Sequence, residues 1–438
     1  MGFKFKVAYN TLAQIIGKVV SAGVGFLITA LVAKKFGLYS YGEFTKIINY
    51  IPLFYLLSDF GFNAVFLREE KEKPKDYDFS SLLGLRLVWS LLLTFLAISI
   101  LPFLPYNSIN NQGFSSLVKL GIITGSLTIL TQGLYTSLNA IFQKFLRYDF
   151  SSLALAFGNL FGLGLIFLIT FRKSGVPYSG NSGLLLIMAA FVICYLLIFL
   201  TSFYLAKRLI PRLTVKFNFP LFKNIFFLSL PLGITLIFNL IYFRIDSFIL
   251  TIYRSTEEVG LYGLAYKFFE TILVIPTFYL NAVYPEMLAR HQQGKEKFKR
   301  FIILNSKFLI LISIICSLSL FFSSKFLVNL ISGPSFKEAI IPLQILSLSL
   351  PLFFLSSLFM WVLITFKKQT LLVIFYGLSM ILNITLNLIY IPRYGYIAAA
   401  ITTGVTELFV VLLTGYTSIK YLTTDHFNKQ ISKTQISK

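Results

Sequence analysis

Apolar runs long enough to cross a bilayer follow one another along the whole chain. They fall at roughly 11 to 33, 44 to 67, 79 to 101, 116 to 139, 150 to 171, 183 to 206, 225 to 253, 261 to 288, 301 to 323, 339 to 366, 370 to 391 and 397 to 419. A helix needs about 20 such residues to span, so the pattern predicts about twelve transmembrane helices. The polar breaks are short, the longest running from Lys207 to Asn224, which leaves no extramembrane domain between helices. Residues 1 to 6 lead into a full-length run with no small-residue cleavage site, predicting a retained first helix rather than a removed signal peptide. Lys6 also breaks the myristoylation pattern.

Composition agrees with that reading. Of 438 residues, 56% are hydrophobic and only 13% charged, more apolar side chain than a soluble core absorbs. The expected fold class is an all-α integral membrane protein. A balance of 39 Lys+Arg against 17 Asp+Glu would suggest a nucleic-acid partner in a soluble chain. Here the cations crowd into alternate breaks, 24 on one side of the spans and eight on the other. That asymmetry excludes the nucleic-acid reading and predicts both termini in the cytoplasm. Cys194 and Cys316 both sit inside apolar runs, so no disulfide framework is expected.

A repeat appears at an offset of 218 residues: Asn63-Ala64-Val65-Phe66 recurs as Asn281-Ala282-Val283-Tyr284, and Gly42-Glu43-Phe44 as Gly260-Leu261-Tyr262. Together with the span count it predicts two six-helix lobes, residues 1–206 and 225–420. A basic cytoplasmic linker at 207–224 joins them, and a cytoplasmic tail follows at 421–438. Six is even, so the lobes insert the same way up, related by a pseudo-two-fold along the membrane normal, an alternating-access arrangement.

Charges inside spans cost about 2.5 to 3.5 kcal/mol each on insertion scales, so each needs a partner or a hydrated cavity. They are Lys18, Lys46, Asp59, Arg86, Lys119, Arg244, Asp246, Lys267, Glu270, Lys307 and Glu407. Helical phase groups several with other polar residues: Asn10, Gln14, Lys18 and Ser21 in the first span, Thr235, Asn239, Tyr242 and Asp246 in the seventh, Lys267, Glu270, Thr277 and Asn281 in the eighth. The repeat carries part of the eighth-span stripe back onto Asn49, Asp59 and Asn63 of the second. These stripes predict a hydrated cavity between the lobes. Lys18, Lys46, Arg244 and Lys267, with Asn49, Asn239 and Asn281, are its candidate substrate-binding residues, because ammonium and guanidinium donors suit phosphate oxygens. Asp59, Asp246, Glu270 and Glu407 are the candidate sites for a coupling ion, H+ or Na+. The alternative for these charges is structural: Arg244 paired with Asp246 or a neighbouring helix, and Lys267 with Glu270 one turn on. Arg86 and Lys307 are expected to snorkel to cytoplasmic head groups. The chain has no Walker A, HExxH or GxSxG sequence and no paired Cys or His at metal-ligand spacing, so neither a hydrolase nor a metal site is expected.

Two sets of short motifs stand out. The first half carries Lys35-Phe36-Gly37, Tyr41-Gly42-Glu43-Phe44 and Asp59-Phe60-Gly61. The second carries Pro231-Leu232-Gly233, Arg244-Ile245-Asp246, Val259-Gly260-Leu261-Tyr262, Tyr284-Pro285 and Tyr394-Gly395-Tyr396. With these motifs the chain resembles the polysaccharide-biosynthesis exporters, the O-antigen flippase-like branch of the multidrug/oligosaccharidyl-lipid/polysaccharide (MOP) exporter superfamily. The resemblance implies a flippase of the bacterial inner membrane. Its implied substrate is an undecaprenyl-pyrophosphate-linked oligosaccharide, an O-antigen, lipopolysaccharide or capsular repeat unit, moved from the cytoplasmic to the outer leaflet. It further implies a functional monomer, with a glycan polymerase complex as a further partner. The related lipid II flippases place cavity cations on the first, second and eighth helices, matching Lys18, Lys46 and Lys267 by helix, although lysine here replaces arginine. A cation-coupled multidrug antiporter of the same superfamily and a membrane glycan polymerase or ligase remain as alternatives.

Overall fold

The computed structural model describes residues 3–72, 74, 77–171 and 180–423; the side chains of residues 3–8, 11, 180, 181, 235 and 239 fall outside that description. The tail from residue 424 onward, the break carrying Arg172 and Lys173, and residues 73, 75 and 76 also lie outside it. The described chain is helical apart from one small hairpin and short connecting segments such as residues 210–218. The elements are α1 (Phe3–Asp59), α2 (Phe62–Glu72), α3 (Phe79–Ser99), β1 (Tyr106–Asn107), β2 (Gln112–Gly113), α4 (Ser116–Lys144), α5 (Tyr148–Phe171) and α6 (Gly180–Leu209), followed by α7 (Phe219–Tyr253), α8 (Thr256–Ile272), α9 (Val274–Gln292), α10 (Lys295–Ser332), α11 (Ile340–Thr365) and α12 (Gln369–Thr423).

Ten helical stretches among the described residues are long and apolar enough to cross a membrane. Two of them are too long to cross once. With 57 and 55 residues, α1 and α12 would each extend about 80 Å if straight, against an apolar layer of about 30 Å. Each contains one non-helical glycine, Gly37 (φ 77) and Gly395 (φ 60), a backbone that only glycine adopts at little cost. The chain turns back at both. In α1, Asn10 accepts the Tyr148 backbone N–H at 2.7 Å and Lys35 covers the Phe171 ring, so the first arm runs beside α5 in the same direction. Lys46 bonds the Gly113 carbonyl just before α4, and Asn63 bonds the Thr136 carbonyl further along it, so the second arm follows α4. Asn139 and Ser151 bond across the turn between α4 and α5, which run oppositely. In α12, Thr402 bonds Asn387 and Asn383 bonds Thr406, pairing the arms antiparallel about Gly395. With each arm counted, and with α8 and α9 taken as one broken span, all twelve apolar runs become helices of membrane length.

The helices form two compact units, Met1–Leu240 with Ser255–Gly260, and Ile241–Arg254 with Leu261–Lys438. The first half of α7 and the opening turn of α8 thus pack in the N-terminal unit. There the sequence motifs touch. Between α1 and α2 the chain breaks at Phe60 (φ 45) and Gly61 (φ 77). The Phe60 ring stacks on Phe226 at 5.4 Å and lies so close over Gly233 that any Cβ there would overlap it, while Leu232 covers Gly61. Gly42 sits against the Thr256 carbonyl oxygen and against Gly260, the position that repeats it, so the two copies of that motif are in contact.

Candidate substrate and ion sites

Two of the intramembrane cations are fastened inside the N-terminal unit. Lys46 is 1% exposed. Its ammonium donates to the Gly113 carbonyl at 2.7 Å, the Thr256 hydroxyl at 2.6 Å and Glu43 Oε1 at 3.3 Å, which uses all three of its donors. Glu43, also 1% exposed, accepts the Ser115 hydroxyl as well. Thr256 in turn bonds the Asn111 carbonyl through both its backbone N–H and its hydroxyl. The expectation that Lys46 lines a hydrated wall is therefore corrected: a carboxylate one turn back draws it inward, where it ties α1 to the hairpin and to the start of α8. Glu43 escaped the sequence reading, although its i, i+3 spacing to Lys46 is the signal that finds it.

Arg86 on α3 does not snorkel either, being 0% exposed. It donates to the Ser58 and Asp59 carbonyls, to Asn63 Oδ1 at 2.7 Å and to Ser137 at 3.2 Å. The α1–α2 break strips carbonyls of their helical partners, and a guanidinium with five donors is the side chain able to collect them. Asp59 lies 3.6 Å from Arg86 with its side chain 44% exposed, and its Oδ1 is buried without a hydrogen-bond partner among the described residues. Lys18 is exposed on the first arm of α1 and Asn49 is half-buried on the second. Lys307 is exposed on α10, and Lys119 bonds the Leu104 carbonyl at 3.0 Å.

The C-terminal unit gathers the remaining candidates into two clusters. In the first, Glu270 on α8 receives Arg244 Nη2 from α7 at 2.8 Å and Lys267 Nζ at 3.7 Å. Arg244 pairs with Glu270, not Asp246, and also lies over the Tyr266 ring, 5.7 Å from its centroid. Two cations sharing one carboxylate leave a charge of +1, and the side chains are 24% (Arg244), 30% (Lys267) and 39% (Glu270) exposed. Asn281 is exposed on α9, and the Asn239 side chain lies outside the described residues.

The second cluster is buried among α7, α8, α11 and α12. Asp246 is 3% exposed and accepts the Tyr262 hydroxyl, the Ser247 backbone N–H at 2.6 Å and the Thr403 hydroxyl at 3.4 Å. Glu407, also 3% exposed, accepts the Tyr242 hydroxyl at 2.6 Å and that of Ser356. Beside it Asn383, Asn387, Thr402 and Thr406 bond one another. Neither carboxylate has an ion-pair partner among the described residues. Of the seventh-span stripe, Tyr242 and Asp246 thus face the interior of the C-terminal unit, with Tyr262 and Ser356 as partners that spacing alone did not reveal; the Thr235 and Asn239 side chains lie outside the described residues.

Comparisons with known proteins agree on the fold. A family model described as polysaccharide biosynthesis protein matches residues 7–292, and the MatE model matches residues 231–389. The capsular polysaccharide biosynthesis protein CapF of Staphylococcus aureus is 24% identical over 420 residues, 92% of this chain and 96% of the relative. The uncharacterized membrane protein MJ1068 of Methanocaldococcus jannaschii is 23% identical over 429 residues, 92% of this chain and 82% of its own length. Among solved structures, the lipid II flippase MurJ in an inward closed conformation superposes with a TM-score of 0.73 at 19% identity, covering 93% of this chain and 87% of that one. An inward-facing MATE family multidrug transporter of the MOP superfamily gives 0.72 at 14% identity, covering 95% and 99%.

Proposed function

Because this chain belongs to the polysaccharide biosynthesis protein family of the MOP transporter superfamily, we propose that it flips an undecaprenyl-pyrophosphate-linked oligosaccharide from the cytoplasmic to the outer leaflet of the bacterial inner membrane. The observation that carries this reading is the partly exposed Arg244–Lys267–Glu270 cluster. Its excess cation, on a membrane helix, suits the phosphate oxygens of a lipid head group better than a cationic drug. Lys18, exposed on α1 without an ion pair among the described residues, is assigned the same role in the N-terminal unit. Asn281 supplies an exposed amide for sugar hydroxyls.

Asp246 and Glu407 serve ion coupling in this scheme. A buried carboxylate held by neutral hydrogen-bond donors, with no ion pair among the described residues, is expensive in the membrane interior, and a proton or Na+ arriving there relieves that cost. The deciding experiment is reconstitution in liposomes with a lipid-linked oligosaccharide, scoring transfer between leaflets with and without a proton or sodium gradient. Gradient-stimulated transfer that Asp246→Asn uncouples is the expected result. No transfer by the folded wild-type protein refutes the assignment.

A further inference from the structure

The two arms of α12 do not close on each other along their whole length. Between them lies a cavity of about 470 Å³, with Leu386, Tyr390 and Tyr394 on one arm, Ile401 and Val405 on the other, and Thr402 in its floor. Its walls are almost wholly apolar, and Tyr390, Tyr394 and Ile401 are 44%, 63% and 48% exposed. From Leu386 to Tyr394 the slot runs eight residues, about 12 Å of helix, close to the depth of one leaflet of a hydrocarbon core about 30 Å thick.

The mouth of the slot has a different chemistry. The tilted pair Tyr390 and Tyr394, ring centroids 6.4 Å apart, stands beside the Gly395 turn, as tyrosines stand at membrane–water boundaries. Arg254 Nη1 reaches the Pro392 carbonyl between them at 3.3 Å, and Arg393 is exposed next to it. Tyr396 bonds Glu338 at 3.3 Å, beside the exposed Lys337. Within the C-terminal unit the rim therefore carries three cations and one carboxylate. An apolar slot one leaflet deep under a cationic, tyrosine-lined rim matches an amphiphile with an anionic head.

We propose that this slot is a binding site for an anionic phospholipid of the bilayer, one acyl chain between the arms of α12 and the phosphate at Arg393. A polyprenyl chain is much longer than the slot, whereas an acyl chain ends within one leaflet. The floor gives such a lipid a structural consequence. Thr402 donates to Asn387 at 2.6 Å, and Asn387 donates to Asn383, so a chain wedged there braces the bonds holding the arms together.

The test is native mass spectrometry of the full-length protein released from nanodiscs of equal phosphatidylglycerol and phosphatidylcholine, together with thermal unfolding in each lipid. Retention of phosphatidylglycerol at least fivefold over phosphatidylcholine is expected, with a higher melting temperature in phosphatidylglycerol. Ile401→Trp, which fills the slot, and Arg393→Gln, which removes the head-group cation, should each abolish that preference. Ile381→Trp, on α12 but outside the slot, should preserve it and controls for folding. Equal retention of both lipids, a preference unchanged in Ile401→Trp, or displacement of phosphatidylglycerol by trace undecaprenyl phosphate would each overturn the assignment.

Discussion

Replacing Lys46 by methionine keeps the length of the side chain and removes its charge. Glu43 would then remain 1% exposed with the Ser115 hydroxyl as its hydrogen-bond donor, and the Gly113 carbonyl and Thr256 hydroxyl would each lose the Lys46 donor. Removing one partner of a buried ion pair costs about 3–5 kcal/mol, because the other charge is left uncompensated. The lost bonds to Gly113 and Thr256 act in the same direction. Removing both charges in Lys46→Met/Glu43→Leu abolishes the stranded carboxylate, so the double variant should regain about half of that loss or more. The assay is denaturant unfolding in mixed micelles. Trp89, whose indole donates to the Leu57 carbonyl at 2.8 Å in the same unit, serves as reporter after Trp361→Phe removes the other tryptophan. A single variant that loses under about 1 kcal/mol, or a double variant no more stable than the single, refutes the tie. Normal stability with lost transport would instead return Lys46 to the substrate path.

Other expectations follow from the same structure. Arg86→Lys should lower stability by about 2 kcal/mol or more, seen as a lower unfolding midpoint, since an ammonium cannot serve both carbonyls, Asn63 and Ser137 together. Lys267→Ala and Lys18→Ala should each slow leaflet transfer in liposomes about tenfold at unchanged protein level, the equivalent of one charge-assisted hydrogen bond of about 1.5 kcal/mol; wild-type rates in both would remove them from the site. Gly42→Ala should destabilise by about 1–3 kcal/mol through overlap with the Thr256 carbonyl. Gly25→Ala, with nothing within 4 Å of the new methyl group, should be neutral or stabilise by up to about 1 kcal/mol in the same denaturant unfolding.

The sequence by itself determined that this chain lives in a membrane, which runs cross it, and where two of the sharpest turns fall. Hydropathy over 20 residues is a local property, and Gly37 and Gly395 mark reversals because only glycine takes that backbone cheaply. Local spacing also grouped Lys267 with Glu270 and Tyr242 with Asp246. Only the tertiary structure decided which face of each helix those groups present and to whom. Lys46 and Lys18 are both lysines within apolar runs, yet one is enclosed and the other exposed, because Glu43, Gly113 and Thr256 converge on the first from three separated parts of the chain. Arg86 was indistinguishable from a snorkelling arginine until the break at Phe60 and Gly61 placed bare carbonyls beside it. A buried charge is settled by partners far away in sequence, and helical periodicity carries no information about the neighbouring helix.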